Sequence, residues 1–221
     1  MVDRMYIGHI ADVGATALTG VGVCFPIIMI VSAFASLIGM GGAPQASISM
    51  GKGDNQRAEQ IMGNCFSALI LIAVVLTALV LIFNRPLLYL FGASDNTIGY
   101  AVEYIQIYAI GTLFVQITLG MNMFISAQGF STISMLTVVI GAVTNIILDP
   151  IFIFGFHMGV AGAAWATIIS QAVSAVWAVK FLSGKQTVLK LKKKNFRIRP
   201  SILFPCIALG VAPFTMQATE S

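Results

Sequence analysis

Four long stretches of the chain contain no charged residue, and they limit the folds available to it. They are residues 13–51, 60–84, 104–148 and 150–179. A helix needs about 20 apolar residues to cross the roughly 30 Å hydrocarbon core of a bilayer, so the first and third stretches suffice for two crossings or one long helix. Only 9% of the residues are charged and 58% are hydrophobic, which excludes an ordinary soluble domain. The sequence therefore predicts an all-α membrane protein with several transmembrane helices.

Turn-forming residues divide these stretches into seven helical segments. The sequence GKGDNQR separates the second segment from the third, and AQGFS separates the fourth from the fifth, because glycine, asparagine and serine favour turns. The longer sequence NRPLLYLFGASDN is predicted to be a loop after the third segment. The predicted segments are residues 1–8, 15–50, 58–83, 98–127, 131–154, 161–183 and 201–221.

The segments at the two ends of the chain differ from the others in length and surroundings. Eight residues cannot span a bilayer, and the last apolar segment stops without a loop. We therefore expect a fragment, truncated at both ends, of a protein roughly twice as long. It divides into a bundle of helices over residues 1–184, a basic linker over 185–200 and the start of a further helix over 201–221.

Lysine and arginine are concentrated at one face of the predicted bundle. They flank the second turn and follow the sixth segment, whereas Arg85 lies in a loop at the opposite face. Because basic loops of membrane proteins stay in the cytoplasm, this face is predicted to be cytoplasmic. Topology thus explains the net charge of +4, so the expected partner is the lipid bilayer and not nucleic acid. The alternative role for the basic linker is to bind anionic lipid. The basic residues are Lys52, Arg57, Lys180, Lys185, Lys190, Lys192, Lys193, Lys194, Arg197 and Arg199.

Two carboxylates and a hydroxyl are predicted to share one depth in the membrane. Asp149 precedes the turn centred near Met158 by nine residues, and Thr167 follows that turn by nine. Asp3 precedes the first turn on the same side, near Asp12, by nine residues as well. At a rise of ~1.5 Å per residue, all three lie roughly 13 Å inside the membrane face. An ionisable side chain at this depth costs several kcal/mol and is usually retained for function.

Asn145 and Pro150 add two further oxygen ligands near Asp149. Asn145 lies four residues before Asp149 and projects from the same helix face. Pro150 has no N–H for the carbonyl of Ile146, which leaves that oxygen available and predicts a helix kink. Carboxylates, an amide, a hydroxyl and a loose carbonyl suit a hard cation such as Na⁺, while carboxylates removed from water also suit a proton. The alternative is that Asp149 only bonds neighbouring helices and Asp3 lies at an interface.

A second group of polar residues lies on the fourth segment. Gln116 and Asn122 fall in its inner half, and Tyr104 and Tyr108 lie towards its outer end. These side chains are candidates to line a cavity for a cationic or amphiphilic substrate. Interhelical hydrogen bonds and a belt of interfacial tyrosines are the alternative.

The sequence contains no motif of an enzyme or of an ATP-driven transporter. SISMGKG superficially resembles a phosphate-binding loop, but the preceding Ala46 occupies the position of the required first glycine, and Gly53 that of the required serine or threonine. No nucleophile elbow and no metalloprotease helix is present, and His9 and His157 have no third metal ligand nearby. We expect no enzymatic activity, no metal site other than for Na⁺, and no cofactor other than a coupling ion.

Several stretches resemble the MATE (multidrug and toxic compound extrusion) family. The sequence VDRMYIGHI is similar to the end of the first helix in that family, and NIILDPIFIFGFHMGVAGAAWATIISQ to its fifth and sixth helices. The stretches MNMFISAQG and FGASDNTIGYAVEYIQIYAIG resemble the fourth helix of that family and the loop before it. The likeness covers essentially the whole chain and is most specific in the fifth-to-sixth hairpin.

The resemblance implies the amino-terminal, six-helix lobe of a twelve-helix, two-lobe transporter. Such proteins export small cationic drugs in exchange for Na⁺ or H⁺, here in a prokaryotic cell membrane. It implies a cation site at Asp3, Asn145, Asp149 and Thr167 with the backbone of Ala163 nearby, and a drug-facing position at Asn122. The second lobe and the start of the first helix, with its proline, are absent, so this fragment is expected to bind a cation weakly at most and not to alternate access.

Two other functions remain open at this point. A lipid-linked saccharide flippase shares the architecture of the broader superfamily, but its cavity tends to be lined by arginine, and the membrane-depth segments here carry almost none. A non-transporting accessory membrane subunit is the other alternative, and it predicts that leucine is tolerated at Asp3 and Asp149.

Overall fold

The computed structural model describes residues 2–8 and 14–219, without the side chains of residues 2–4 and 193. Six helical spans in this part of the chain are long and apolar enough to cross a membrane, with the π-helical turn that follows α5 counted as part of its span. The helices are α1 (Val2–Gly8), α2 (Gly14–Gly51), α3 (Asn55–Leu90), α4 (Ile98–Ala127), α5 (Ser131–Pro150), α6 (Gly159–Ser183) and α7 (Pro200–Thr219). Ile151–Gly155 form the π-helical turn, and Lys193–Asn195 form a 3₁₀ turn in the linker.

The predicted helix boundaries hold for α2, α4 and α6 to within two residues, but the predicted end of the third helix at residue 83 was wrong. Helix α3 continues through Pro86 to Leu90. Phe83 has a non-helical backbone (φ −109°, ψ 19°), which marks a kink one turn before the proline. The helix resumes because Leu88, fully buried, still packs into the core. Proline therefore bends this apolar helix without ending it.

The core consists of two apolar clusters at different depths. The cluster nearer the basic face joins the end of α2, the start of α3 and the ends of α4 and α6, and it includes Met62 and Phe124. The other cluster joins α1, the first half of α2, the end of α3 and the starts of α4 and α6, and it includes Ile7 and Ile105. Outward-facing apolar side chains remain exposed along α3, α5 and α7, as expected for surfaces that contact lipid.

The basic linker is bound to the bundle through buried polar side chains of α3. Glu59 accepts hydrogen bonds from the Lys190 N–H (3.2 Å) and the Lys192 ammonium (2.6 Å). Its own side chain is 11% exposed, against 42% for Lys192. One turn further, the Asn64 Oδ1 accepts from the Arg199 N–H at 2.6 Å. The linker is therefore a folded part of the bundle and not a free tether.

Helix α7 packs against α2 at two glycines. A Cβ atom added at Gly41 would overlap the Cys206 carbonyl, and one added at Gly210 would overlap the Leu37 carbonyl. Small residues allow this close backbone approach, as is common between transmembrane helices.

Candidate cation and substrate site

Helix α5 presents a single narrow face to the protein. Its buried residues are Thr137, Gly141 and Asp149, while its outward-facing valines and isoleucines are exposed. With the half-buried Asn145, these residues recur every four positions and so lie along one side of the helix. The helix therefore contacts the bundle through small and polar side chains.

Helix α6 presents a matching polar face. Thr167, Ser170, Gln171 and Ser174 follow the i, i+3, i+4, i+7 pattern of one helix side. The Ser174 hydroxyl donates to the Thr137 carbonyl at 3.1 Å. The Ser174 hydroxyl fits there because the opposing residue, Gly141, has no Cβ atom. A Cβ at that position would lie only 2.5 Å from the Ser174 Oγ. The two polar faces are thus held together by small side chains.

Asp149 is completely buried between these elements. Its exposed fraction is 0%, and the Asn145 amide donates to its Oδ1 at 3.4 Å. Burying a carboxylate charge costs several kcal/mol, so neutralisation of Asp149 by a cation or a proton is favoured. Asp149 and Asn145, predicted to share a face, are in contact.

Thr167 and Ala163 lie on the first half of α6, one turn apart. The Thr167 hydroxyl donates to the Ala163 carbonyl at 2.9 Å. This segment packs tightly against the turn that follows Pro150, because Gly162 lies against the backbone of Phe152 and Ile153. The regular α-helix ends at the predicted kink residue, Pro150, and continues as a π-helical turn that supports the start of α6.

Helix α1 lies against both α5 and α6. The Tyr6 ring meets the Phe154 ring edge-on at a centroid distance of 6.3 Å, and Ile7 is completely buried. The side chain of Asp3, the fifth predicted cation ligand, lies outside the described residues. The backbone of Asp3 belongs to α1, which contacts α5 and α6, the two helices that carry the other predicted ligands.

Two cavities of about 310 Å³ each lie next to this group. One is bounded by α4, α5 and α6 and is lined by Asn145, Thr167 and Gln171 among others. The other is bounded by α2, α4 and α6, and Thr167 and Gln171 line it too, together with Tyr104 and Tyr108. Thr167 and Gln171 therefore border both the cavity beside Asn145 and the aromatic cavity.

The predicted substrate residues divide into two pairs. Tyr104 and Tyr108 stack with ring centroids 6.3 Å apart and planes at 13°, and both line the second cavity. Gln116 is completely buried, and its amide donates to the Val31 carbonyl at 2.6 Å. Gln116 and Asn122 are absent from the linings of both cavities. Of the predicted substrate residues, the two tyrosines line this cavity, and Phe25 adds a further aromatic side chain to its wall.

A family model described as MatE matches residues 1–151 of the chain. The chain belongs to the MATE family. A multidrug export protein, MepA, from Staphylococcus haemolyticus is 27% identical over 90% of this chain and 44% of its own length. A structure described as the inward-facing conformation of a multidrug resistance MATE transporter superposes with a TM-score of 0.92 at 25% identity, covering 99% of this chain and 49% of that one. An outward-facing structure gives a TM-score of 0.88 at 25% identity, covering 97% and 47%.

These relatives confirm the predicted family and the predicted all-helical membrane fold. The chain spans about half the length of the curated relatives it matches. It belongs to a family of membrane transporters and not of enzymes. Within the described residues, no three His, Cys, Asp or Glu side chains converge on a metal site.

Gln171 and Thr118 are among the residues that line the cavities of this MATE chain and were not predicted from the sequence. Gln171 lines both cavities, and Thr118 lines the first and donates to the Gln171 carbonyl at 3.1 Å. The sequence signal that could have identified Gln171 is the polar i, i+3, i+4, i+7 spacing that begins at Thr167, because this spacing indicates an inward-facing helix side. On the fourth helix, this spacing rule does not separate Thr118 from the buried Gln116, because both lie among apolar neighbours.

Proposed function

We propose that this chain forms the amino-terminal lobe of a cation-coupled multidrug antiporter, which exports cationic amphiphilic compounds in exchange for Na⁺ or H⁺. The observation that carries the proposal is the fully buried Asp149 carboxylate beside a cavity lined by Asn145 and Thr167. A fully buried carboxylate at membrane depth is costly to retain for packing alone, and binding a cation or a proton neutralises its charge. The Ala163 carbonyl and Asp3 complete the proposed cation ligands.

The proposed coupling acts through helix packing. When Asp149 binds a cation or a proton, its charge is neutralised and the electrostatic opposition to closer packing of α1, α5 and α6 falls. Because Thr167 and Gln171 line both cavities, movement of α6 changes the aromatic cavity as well. A drug stacked on Tyr104 and Tyr108 is then released, since the cavity that accommodates it has narrowed. The drug and the coupling ion thus favour different conformations of the same lobe, so binding of one weakens binding of the other.

The aromatic cavity supports a cationic, partly apolar substrate. Tyrosine faces attract organic cations, and the apolar side chains of Val21 and Ile28 line the same space. Among the described residues, neither cavity is lined by arginine or lysine, which does not favour an anionic, saccharide-linked lipid. Asn122 and Gln116 are proposed to contribute to the substrate path only after the helices rearrange.

The proposed topology places the basic linker in the cytoplasm of a bacterial cell. The proposed partners are the lipid bilayer, small cationic drugs and a second lobe of the same protein. In this arrangement, the linker held by Glu59 and Asn64 connects the two lobes.

The test is Asp149→Asn in the protein expressed from its complete gene. Proteoliposomes are given either a Na⁺ gradient or a proton gradient, and uptake of a fluorescent organic cation is followed. We expect coupled transport to fall at least tenfold, because the neutral amide releases no proton and holds a cation poorly. Asp54→Asn, at an exposed position that keeps its helix-capping ability, should transport normally.

Two results would contradict the proposal. Wild-type transport by Asp149→Asn would remove the coupling role of this carboxylate. Wild-type cation binding by Asp149→Leu would instead support a structural membrane subunit. The gradient that drives uptake in the unmodified protein identifies the coupling ion.

A further inference from the structure

A groove at the basic face lies outside both cavities of the proposed transport site. It is formed where α6 ends and the linker begins, beside the first turns of α5, and its volume is about 400 Å³. The lining includes Ile133, Trp177, Lys180, Phe181, Lys185 and Gln186.

The polar end of the groove carries uncompensated positive charge. Lys180 and Lys185 are both exposed. Within residues 14–219, the ion pair that the structure contains joins Lys192 to Glu59, so neither groove lysine has a carboxylate partner among the described residues. The amide of Gln186 adds a hydrogen-bonding group at the same end. Two cations and an amide around one space suit a phosphate group.

The other end of the groove is apolar and lies towards the membrane. Trp177 precedes Lys180 by three residues on α6, and is therefore ~4.5 Å further from the basic end of that helix. The ring of Phe181 packs edge-on against Phe130 at 5.2 Å, which holds that wall in place. Next to the groove, Val176 is 63% exposed on the outer surface of α6. The groove therefore continues into surface that contacts lipid chains.

We propose that this groove binds one anionic phospholipid. Its phosphate lies between Lys180 and Lys185, and an acyl chain runs along Trp177 and Phe181. Charge complementarity selects the anionic headgroup, and continuity with the lipid-exposed surface of α6 selects a lipid over a soluble phosphate compound. Tryptophan at the interface and lysine at the headgroup level are the positions these side chains prefer in membranes. The site is independent of the proposed transport activity.

Quenching of Trp177 fluorescence by brominated lipids tests the proposal. The protein from its complete gene is reconstituted in phosphatidylcholine with increasing brominated phosphatidylglycerol, or with brominated phosphatidylcholine. The signal of Trp177 is the difference between the protein with and without Trp177→Phe. We expect half-maximal quenching at about a thirtyfold lower fraction of phosphatidylglycerol than of phosphatidylcholine, from two lysines near an anionic headgroup.

Charge-removing variants separate a built site from general attraction to the basic face. Lys180→Gln with Lys185→Gln should abolish the preference and leave quenching by brominated phosphatidylcholine unchanged, which also shows that the protein is folded. Lys52→Gln with Arg57→Gln removes the same charge at exposed positions outside the groove, and should keep the preference.

Three outcomes would overturn the proposal. They are equal quenching by the two brominated lipids in the unmodified protein, equal loss of preference in the two double variants, and relief of the quenching by millimolar glycerol phosphate. The last result would identify the groove as a site for soluble phosphate compounds.

Discussion

Substituting Gly162 by alanine should destabilise the contact between α6 and the turn that follows Asp149. A Cβ at this position would lie 2.8 Å from the Phe152 carbonyl carbon, 2.9 Å from its oxygen and 3.0 Å from the Ile153 nitrogen, whereas ordinary contact begins near 3.4 Å. The two backbones must therefore separate by about 0.6 Å, which an overpacked interior accommodates at a cost of about 1–3 kcal/mol. All three opposing atoms are backbone, and Ile153 is 3% exposed, so no flexible side chain can move aside.

The measurement is the free energy of unfolding of the purified protein, from titration with SDS in mixed micelles. Gly162→Ala should lower the ratio of folded to unfolded protein by roughly 5-fold to 150-fold at a given SDS fraction. Gly155→Ala is the matched control, because its Cβ would have no neighbour within 4 Å. In a helical turn, alanine there should be neutral or slightly stabilising.

The close approach also predicts a functional effect. Displacing Phe152 and Ile153 moves the end of α5 that carries Asp149, so Gly162→Ala should weaken cation-coupled transport at a temperature where the variant remains folded. Equal stability of Gly162→Ala and Gly155→Ala would refute the reasoning, since it would mean that the backbones of α6 and the π-helical turn are not in contact.

Two further predictions concern the linker and the cavities. Glu59→Ala removes the acceptor of the Lys192 ammonium, so trypsin should cleave the linker severalfold faster and stability should fall by about 1–3 kcal/mol, while Glu103→Ala, at an exposed position, should change neither. Unchanged proteolysis of Glu59→Ala would show that the linker is not held by this contact. Gln171→Leu should reduce drug export several-fold with cation binding preserved, because Gln171 lines both cavities but is not a proposed cation ligand. Isotopic Na⁺ binding beside drug efflux measures the two effects, and parallel loss of both would contradict it.

The membrane helices were predictable because their signal is carried by composition alone. A helix in lipid satisfies its own backbone hydrogen bonds, so apolar length is enough to indicate one. The end of α3 was not predictable in this way. Pro86 and the turn-forming residues that follow it from Gly92 onwards suggested a loop. Burial of Leu88 against the bundle instead keeps the last turns of α3 helical. Tertiary packing decides between a kink and an end.

The contact between Asp149 and Asn145 was predictable from the sequence, but the walls of the cavities were not. Asp149 and Asn145 share a helix face by spacing alone, and they are in contact. Which polar residues of the fourth helix line a cavity depends on its rotation within the bundle. That rotation buries Gln116 against Val31, and presents Tyr104 and Tyr108 to the second cavity.

By itself, the sequence determined the membrane class of the chain and the family resemblance, and it predicted carboxylates at membrane depth. These properties are local, because each depends on a stretch of residues and the bilayer that surrounds it. The tertiary structure decided that α5 and α6 pair through small and polar faces, that Gln171 stands between two cavities, and that Glu59 holds the linker. These contacts join residues far apart in the chain, and only the packed helices bring them together.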